Sequence, residues 1–294
     1  MEGDIALMSA TVPPVEILAP ATQTVAMVFA SPHSGAHYPR DLLGASRLDA
    51  ATLRRSEDAY VDALFGATPD LGAPLLRARF ARAYLDPNRE PYELDPAMFE
   101  DALPPFVNRN SPRVKMGLGT IARVVASGEE IYSRKLHAAE ALDRVDRLYR
   151  PYHRALRRLV TETRDRFGHY VLVDCHSMPS ACLGERGRPG RADIVLGDCH
   201  GTSCHPAVID TVHRALSAKG YRVARNAPYA GGFTTAHYGQ PAASGHCLQI
   251  ELSRALYMDE VTFERKPYFG RLADDMTDVM LALAAMAPSL RPAA

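Results

Sequence analysis

The chain has 294 residues, 47% hydrophobic and 23% charged, with 34 Lys plus Arg against 34 Asp plus Glu. That balance argues against nucleic acid or an acidic membrane surface as partner, and neither tryptophan nor basic–aromatic interleaving is present. Five cysteines, an odd number with no CxxC pair, fit a reducing cytosol rather than a disulfide framework; no basic-then-apolar leader and no apolar run of about 18 residues is expected to target or span a membrane.

Residues 1–24 read as an irregular lead-in, and 25–290 as a single domain. Val25 to Ala30 is a short apolar run that stops at Ser31-Pro32, as a buried strand ending in a turn does. Leu48 to Phe65 has helical periodicity, which puts Asp58 on a helix. Pro74 to Phe80 and Arg82 to Asp86 read as extended. Residues 87–118 are rich in Pro and Asn, and a loop that long in a compact domain is usually functional. Ile131 to Phe167 reads as helix, kinked or broken at Pro151. Strands follow at Val171–Asp174, Ala192–Leu196, Tyr221–Ala224 and His246–Leu252, with helices at Pro206–Lys219 and Tyr268–Met286. This alternation predicts an α/β sandwich with a mostly parallel central sheet. Ligands in such folds bind beyond the carboxyl ends of the strands.

Chemistry collects at those ends. Ser31-Pro32-His33-Ser34-Gly35 follows the first strand, Cys175-His176-Ser177-Met178-Pro179 follows another, and Gln249-Ile250-Glu251 ends a third. Two imidazoles and a carboxylate form a common catalytic zinc set that leaves a position for water. A further carboxylate then acts as general base. A lone histidine at a strand end is more often structural, so the pairing of His33 with His176 carries the argument. The adjacent pairs Cys199-His200 and Cys204-His205 lack zinc-finger spacing. Asn88 and Arg89 offer donors for a substrate carboxylate, although Asp86-Pro87-Asn88-Arg89 is also an ordinary turn sequence. Asn226 to Gly232, with Tyr229 and Gly231, reads as an ordinary surface turn or as a flexible loop able to wrap a small polar ligand. Neither a phosphate loop nor a GxSxG elbow is present.

The ordered set of His33 with Tyr38-Pro39, Asp58 with Val61-Asp62, Asp86 to Arg89, Asp174 to Pro179, Asn226 to Gly232, and Gln249 to Glu251 with Arg254 resembles the N-formylglutamate amidohydrolase family. The resemblance runs from about Ser31 to Tyr257. It implies a single-domain three-layer αβα sandwich around a mixed, mostly parallel sheet, similar to zinc carboxypeptidases and aspartoacylases. It also implies a divalent metal, zinc first, at His33, Asp58 and His176, with Glu57 a rival to Asp58, since Ala36 breaks the HxxE spacing. Glu251 falls at the catalytic glutamate. Asn88 and Arg89 fall at the pair that holds the substrate carboxylate. Arg123 suits a second carboxylate or, equally, a structural ion pair, and Arg82 or Arg89 suits an oxyanion. The expected reaction is hydrolysis of a small N-acyl amino acid, N-formyl-L-glutamate first, in a cytoplasmic enzyme of histidine degradation. Another N-acyl amino acid or a peptide-like substrate, or a non-catalytic binding protein of the same fold, stays open.

Overall fold

Two long strands carry the fold, and both combine an apolar run with polar residues near their carboxyl ends. In the computed structural model, Tyr170–Met178 and Gly245–Ser253 are buried at all nine positions. Continuous burial is what a central parallel strand requires, because both its faces are covered. The residues described are 12–125, 127–183 and 192–291. In chain order the elements are β1 (Val15–Leu18), β2 (Met27–Ser31), α1 (Arg40–Ala45), α2 (Ala50–Arg54), α3 (Val61–Leu64), β3 (Leu75–Ala78), α4 (Pro112–Lys115) and α5 (Ala138–Arg144). A π-helical turn, Val145–Tyr149, joins α5 to α6 (Arg150–Phe167). Then come β4 (Tyr170–Met178), β5 (Ile194–Gly197), α7 (Pro206–Ala218), β6 (Val223–Arg225), α8 (Phe233–Tyr238), β7 (Gly245–Ser253) and α9 (Phe269–Met286).

The strands form one seven-stranded sheet in the order β1-β3-β2-β4-β7-β5-β6. β4 runs parallel to β2 and to β7, β5 runs antiparallel to β7, and β6 parallel to β5. The α/β class with a mixed, mostly parallel sheet therefore stands.

The backbone groups into two compact units that interleave in sequence. One takes in the residues up to Glu16, Pro32–Glu57 and Arg77–Ala155. The other takes in Ile17–Ser31, Asp58–Leu76 and the chain from Leu156 onward. In the second unit, Phe29, Val173, Ile250 and Leu196 share a core with Leu64 of α3, Val212 of α7 and Met276 of α9. Alternation along β4 and β7 then assigns Val173 and Cys175, with Leu248 and Ile250, to that core. Asp174 and His176, with Gln249 and Glu251, fall on the opposite face. In the first unit the buried Arg144 guanidinium lies 4.0 Å over the Tyr84 ring.

Several expectations need correction. Residues 15–18 form β1, so the lead-in is not irregular throughout. The helix expected over 48–65 is two short helices, and Tyr60 between them takes a left-handed φ of 66°. Asp58 thus sits in a turn, because a left-handed residue interrupts the ladder. Arg82–Tyr84 form a turn and not a strand. The helix expected from Ile131 starts at Ala138, and Pro151 neither breaks nor ends it; the π turn precedes it instead. His176 lies within β4 rather than after it.

Candidate active site

His33 is presented by the turn that leaves β2. Gly35 makes the turn possible: a Cβ there would stand 2.2 Å from the Phe80 carbonyl oxygen. His37 N–H donates to Arg79 O at 3.1 Å, and Ala81 N–H to His37 O at 3.1 Å, so this segment is laced to the chain that follows β3. The His33 ring is 1% exposed, and its Nε2 lies 2.7 Å from Asp86 Oδ1.

Asp86 is itself a node. Asn88 N–H donates to Oδ1 at 2.8 Å, Arg82 Nε donates to Oδ2 at 3.0 Å, and Arg89 Nη2 is 3.4 Å from Oδ2. Burial pushes its carboxyl pKa up, yet Arg89, His33 and Arg82 together hold it well below the usual range. Arg89 also donates from Nε to Leu118 O at 2.8 Å and from Nη1 to Asn88 O at 2.7 Å. Three of its five N–H bonds are engaged this way, which leaves two for another acceptor.

His176 sits between carboxylates in the second unit. Nδ1 is 3.0 Å from Asp58 Oδ2 and Nε2 is 2.9 Å from Asp174 Oδ1. Burial lowers its pKa, but Asp174, Asp58 and Glu251 outweigh burial and raise it well above the ordinary imidazole value. Asp58 Oδ1 accepts from Arg254 Nη2 at 3.0 Å and from Ser177 Oγ at 3.2 Å, which turns Oδ2 towards the imidazole. Glu251 is the register partner of His176 on β7. Gln249 Nε2 donates to Glu251 Oε1 at 2.5 Å, and Gln249 Oε1 is a buried acceptor without a hydrogen-bond partner among the described residues.

In the second unit the buried Asp58 and His176 pair a carboxylate with an imidazole, and in the first unit the His33 imidazole is buried too. The donor set fits a divalent cation. Imidazole and carboxylate suit Zn²⁺ and its neighbours. Carboxylates crowd a buried imidazole, which makes the spot favourable for positive charge. The orphaned Gln249 oxygen adds an acceptor beside Glu251. Glu57, the rival to Asp58, is buried too, but its Oε1 accepts from Tyr38 O–H at 2.5 Å and faces Arg54 Nε at 3.3 Å. Cys199, His200, Cys204 and His205 form no metal-ligand group among the described residues.

Other anticipated residues have structural contacts. Arg123 donates to Asp95 at 3.1 Å and to Glu130 at 3.2 Å, and lines a cavity of about 230 Å³ with Arg47, Tyr132, Arg134 and Lys135. The Asn226 amide fastens a turn: Oδ1 accepts from Asp198 N–H and His200 N–H, and Nδ2 donates to Asp198 Oδ1 at 2.8 Å. Gly231 takes φ 132°, and a Cβ there would come within 2.7 Å of Cys199 Sγ. Tyr229 packs on Met178 and Val195. The stretch from 226 to 232 is therefore strapped to the end of β5 rather than flexible. Sequence reasoning assigned no role to Ser177, Asp174, Arg254 or Gln249. All four stand in the motifs of the family resemblance, but only tertiary contacts reveal what they hold.

The sequence profile of the N-formylglutamate amidohydrolase family matches residues 25–258. An N-formylglutamate deformylase of Pseudomonas putida is 30% identical over 241 residues, covering 80% of this chain and 82% of its own. One from Pseudomonas aeruginosa is 27% identical, covering 83% and 86%. The crystal structure of an N-formylglutamate amidohydrolase from Ralstonia eutropha JMP134 superposes with a TM-score of 0.87 at 40% identity, covering 95% of this chain and 99% of that one. The chain thus belongs to the N-formylglutamate amidohydrolase family.

Proposed function

We propose that this protein hydrolyses N-formyl-L-glutamate to formate and L-glutamate, with a divalent metal, zinc first, held by His33, Asp58 and His176. The observation that carries the reading is the buried Asp58–His176 pair with Glu251 beside His176 in register. The relatives named N-formylglutamate deformylase support the substrate. The metal, when bound, lowers the pKa of a coordinated water towards about 7 and polarises the acyl carbonyl. Glu251 takes the proton from the attacking water as its oxygen bonds to the formyl carbon. The C–N bond then breaks, and Glu251 returns the proton to the departing amine nitrogen. Gln249 keeps the Glu251 carboxylate in place for both transfers. Asn88 and Arg89 hold one substrate carboxylate, Arg123 the other, and Arg82 or Arg89 steadies the oxyanion. Asn226, Tyr229 and Gly231 shape the wall beside the ligand. Free cysteines fit a cytoplasmic setting, no helix among the described residues is long and apolar enough to cross a membrane, and the product fits the end of histidine degradation.

The test is formate release from N-formyl-L-glutamate, with and without a chelator, beside other N-formyl and N-acetyl amino acids. Chelator-sensitive release with preference for formylglutamate is expected. Release from a different acyl amino acid alone moves the substrate, and no release with metal bound overturns the reading.

A further inference from the structure

The helical run from Ala138 to Phe167 contains one irregularity, and it stands where the run meets the Asp86 turn. Arg150 N–H donates to Val145 O, a bond that spans five residues instead of four. The cause lies next door. Pro151 has no N–H, and in a regular helix its ring crowds the carbonyl four residues before it. A widened turn relieves that crowding. It also changes which side chains share a face. In an unbroken α-helix, residues five apart point about 140° from one another, at about 100° per residue. A turn closed over five residues brings Arg144 and Tyr149 back towards one face, and His153 follows four residues on.

These three side chains grip one short segment through its backbone carbonyls. Arg144 Nη1 donates to Tyr84 O at 3.3 Å, His153 Nε2 lies 2.8 Å from Pro87 O, and Tyr149 O–H donates to Arg89 O at 2.8 Å. All three are buried. Between the gripped residues lies Asp86, whose Oδ1 faces His33 Nε2 at 2.7 Å. A carboxylate on one ring nitrogen fixes both the tautomer and the orientation of a ligating imidazole.

We propose that the π turn is a positioning device for the metal site: Tyr149 and His153, with Arg144, fix the Tyr84–Arg89 segment so that Asp86 holds the His33 ring by Nε2 and directs Nδ1 to the metal. The inference rests on the proposed ligand role of His33. It makes Tyr149 and His153 positioning residues that need touch neither substrate nor metal.

The full-length protein is loaded with zinc, and its affinity is read by competition with a chromophoric chelator. The visible spectrum of the cobalt-substituted protein reports ligand geometry. In the Tyr149→Phe/His153→Leu variant the zinc Kd is expected to rise about 10-fold, the lower end of what outer-shell partners are worth, with a shifted cobalt spectrum. Tyr149→Phe alone loses one hydroxyl and gives a smaller change in the same direction, so the test survives a double variant that does not fold. His153→Gln, which keeps an N–H donor, is expected to stay near wild type. Thr163→Val, further along the same helix where Thr163 Oγ donates to Leu159 O, is expected to lower the melting temperature and leave zinc affinity unchanged. Wild-type affinity and spectrum in the folded Tyr149→Phe and double variants overturn the positioning role while the ligand reading survives. A wild-type protein that binds neither zinc nor cobalt overturns the ligand reading, and this inference falls with it.

Discussion

His176 and Glu251 occupy matched positions on adjacent parallel strands, the seventh residue of β4 against the seventh of β7. The pairing sets a candidate ligand beside a candidate base without any loop between them. Residues on regular strands hold their separation better than residues on loops. Glu251→Gln preserves size and removes the proton acceptor. It is expected to retain about one metal per chain by elemental analysis and to lose about 10²- to 10⁴-fold in kcat. Retained turnover would remove Glu251 from the chemistry.

Asp58 and Glu57 are neighbours with different partners. Asp58 Oδ2 faces His176, whereas Glu57 meets Tyr38 and Arg54. Asp58→Asn is therefore expected to weaken zinc binding beyond the roughly 10- to 100-fold typical of an outer-shell residue. Glu57→Gln is expected to keep zinc and lower the melting temperature, because it alters a buried bond to Tyr38. The reverse pattern in a zinc titration would make Glu57 the ligand.

Much of this arrangement was legible in the sequence, for a local reason. β2, β4 and β7 are apolar runs, so the polar residues that end them stand out. His33, His176 and Glu251 are candidates on that ground. The placement of Asp58 was not legible. The apolar spacing of 48–65 continues through Tyr60, whose left-handed backbone leaves no mark in periodicity. β1 was hidden because Val15–Leu18 is only four residues long, half-buried and at the sheet edge. Pro151 announced a disturbance, but whether a helix kinks, ends or widens depends on what packs against it. The roles of Asp174, Ser177 and Arg254 are set by partners up to 196 residues away. No window of sequence contains both halves of such a contact.

Gly35 and Gly44 should respond oppositely to alanine. A Cβ at Gly35 meets backbone at 2.2 Å, which no side-chain rotation relieves, whereas a Cβ at Gly44, inside α1, meets nothing within 4 Å. Gly35→Ala is expected to cost at least about 3 kcal/mol, and Gly44→Ala to add about 0.5–1 kcal/mol through helix propensity and a less flexible unfolded chain. Urea denaturation of the two variants checks both signs. A neutral Gly35→Ala would mean that the turn presenting His33 can shift without penalty.

His246 gives a pH dependence away from the candidate ligands. Burial, then the nearby His169 and His205, lowers its pKa from 6.5 to about 4, and its Nδ1 accepts from His205 N–H at 3.2 Å. The unfolded chain binds the proton more readily than the folded one between those two values. The stabilisation is therefore complete above about pH 6.5, is lost as pH falls, and levels off near pH 4. Its size is on the order of 1–2 kcal/mol once solvent screening is counted. Urea midpoints of metal-free wild type and His246→Gln at pH 7.5 and pH 4.5 isolate it, because acid effects at other groups are common to both proteins. Wild type should lose more on acidification than the variant. Equal losses would mean that the His246 ring reaches solvent freely enough to titrate as it does in the unfolded chain.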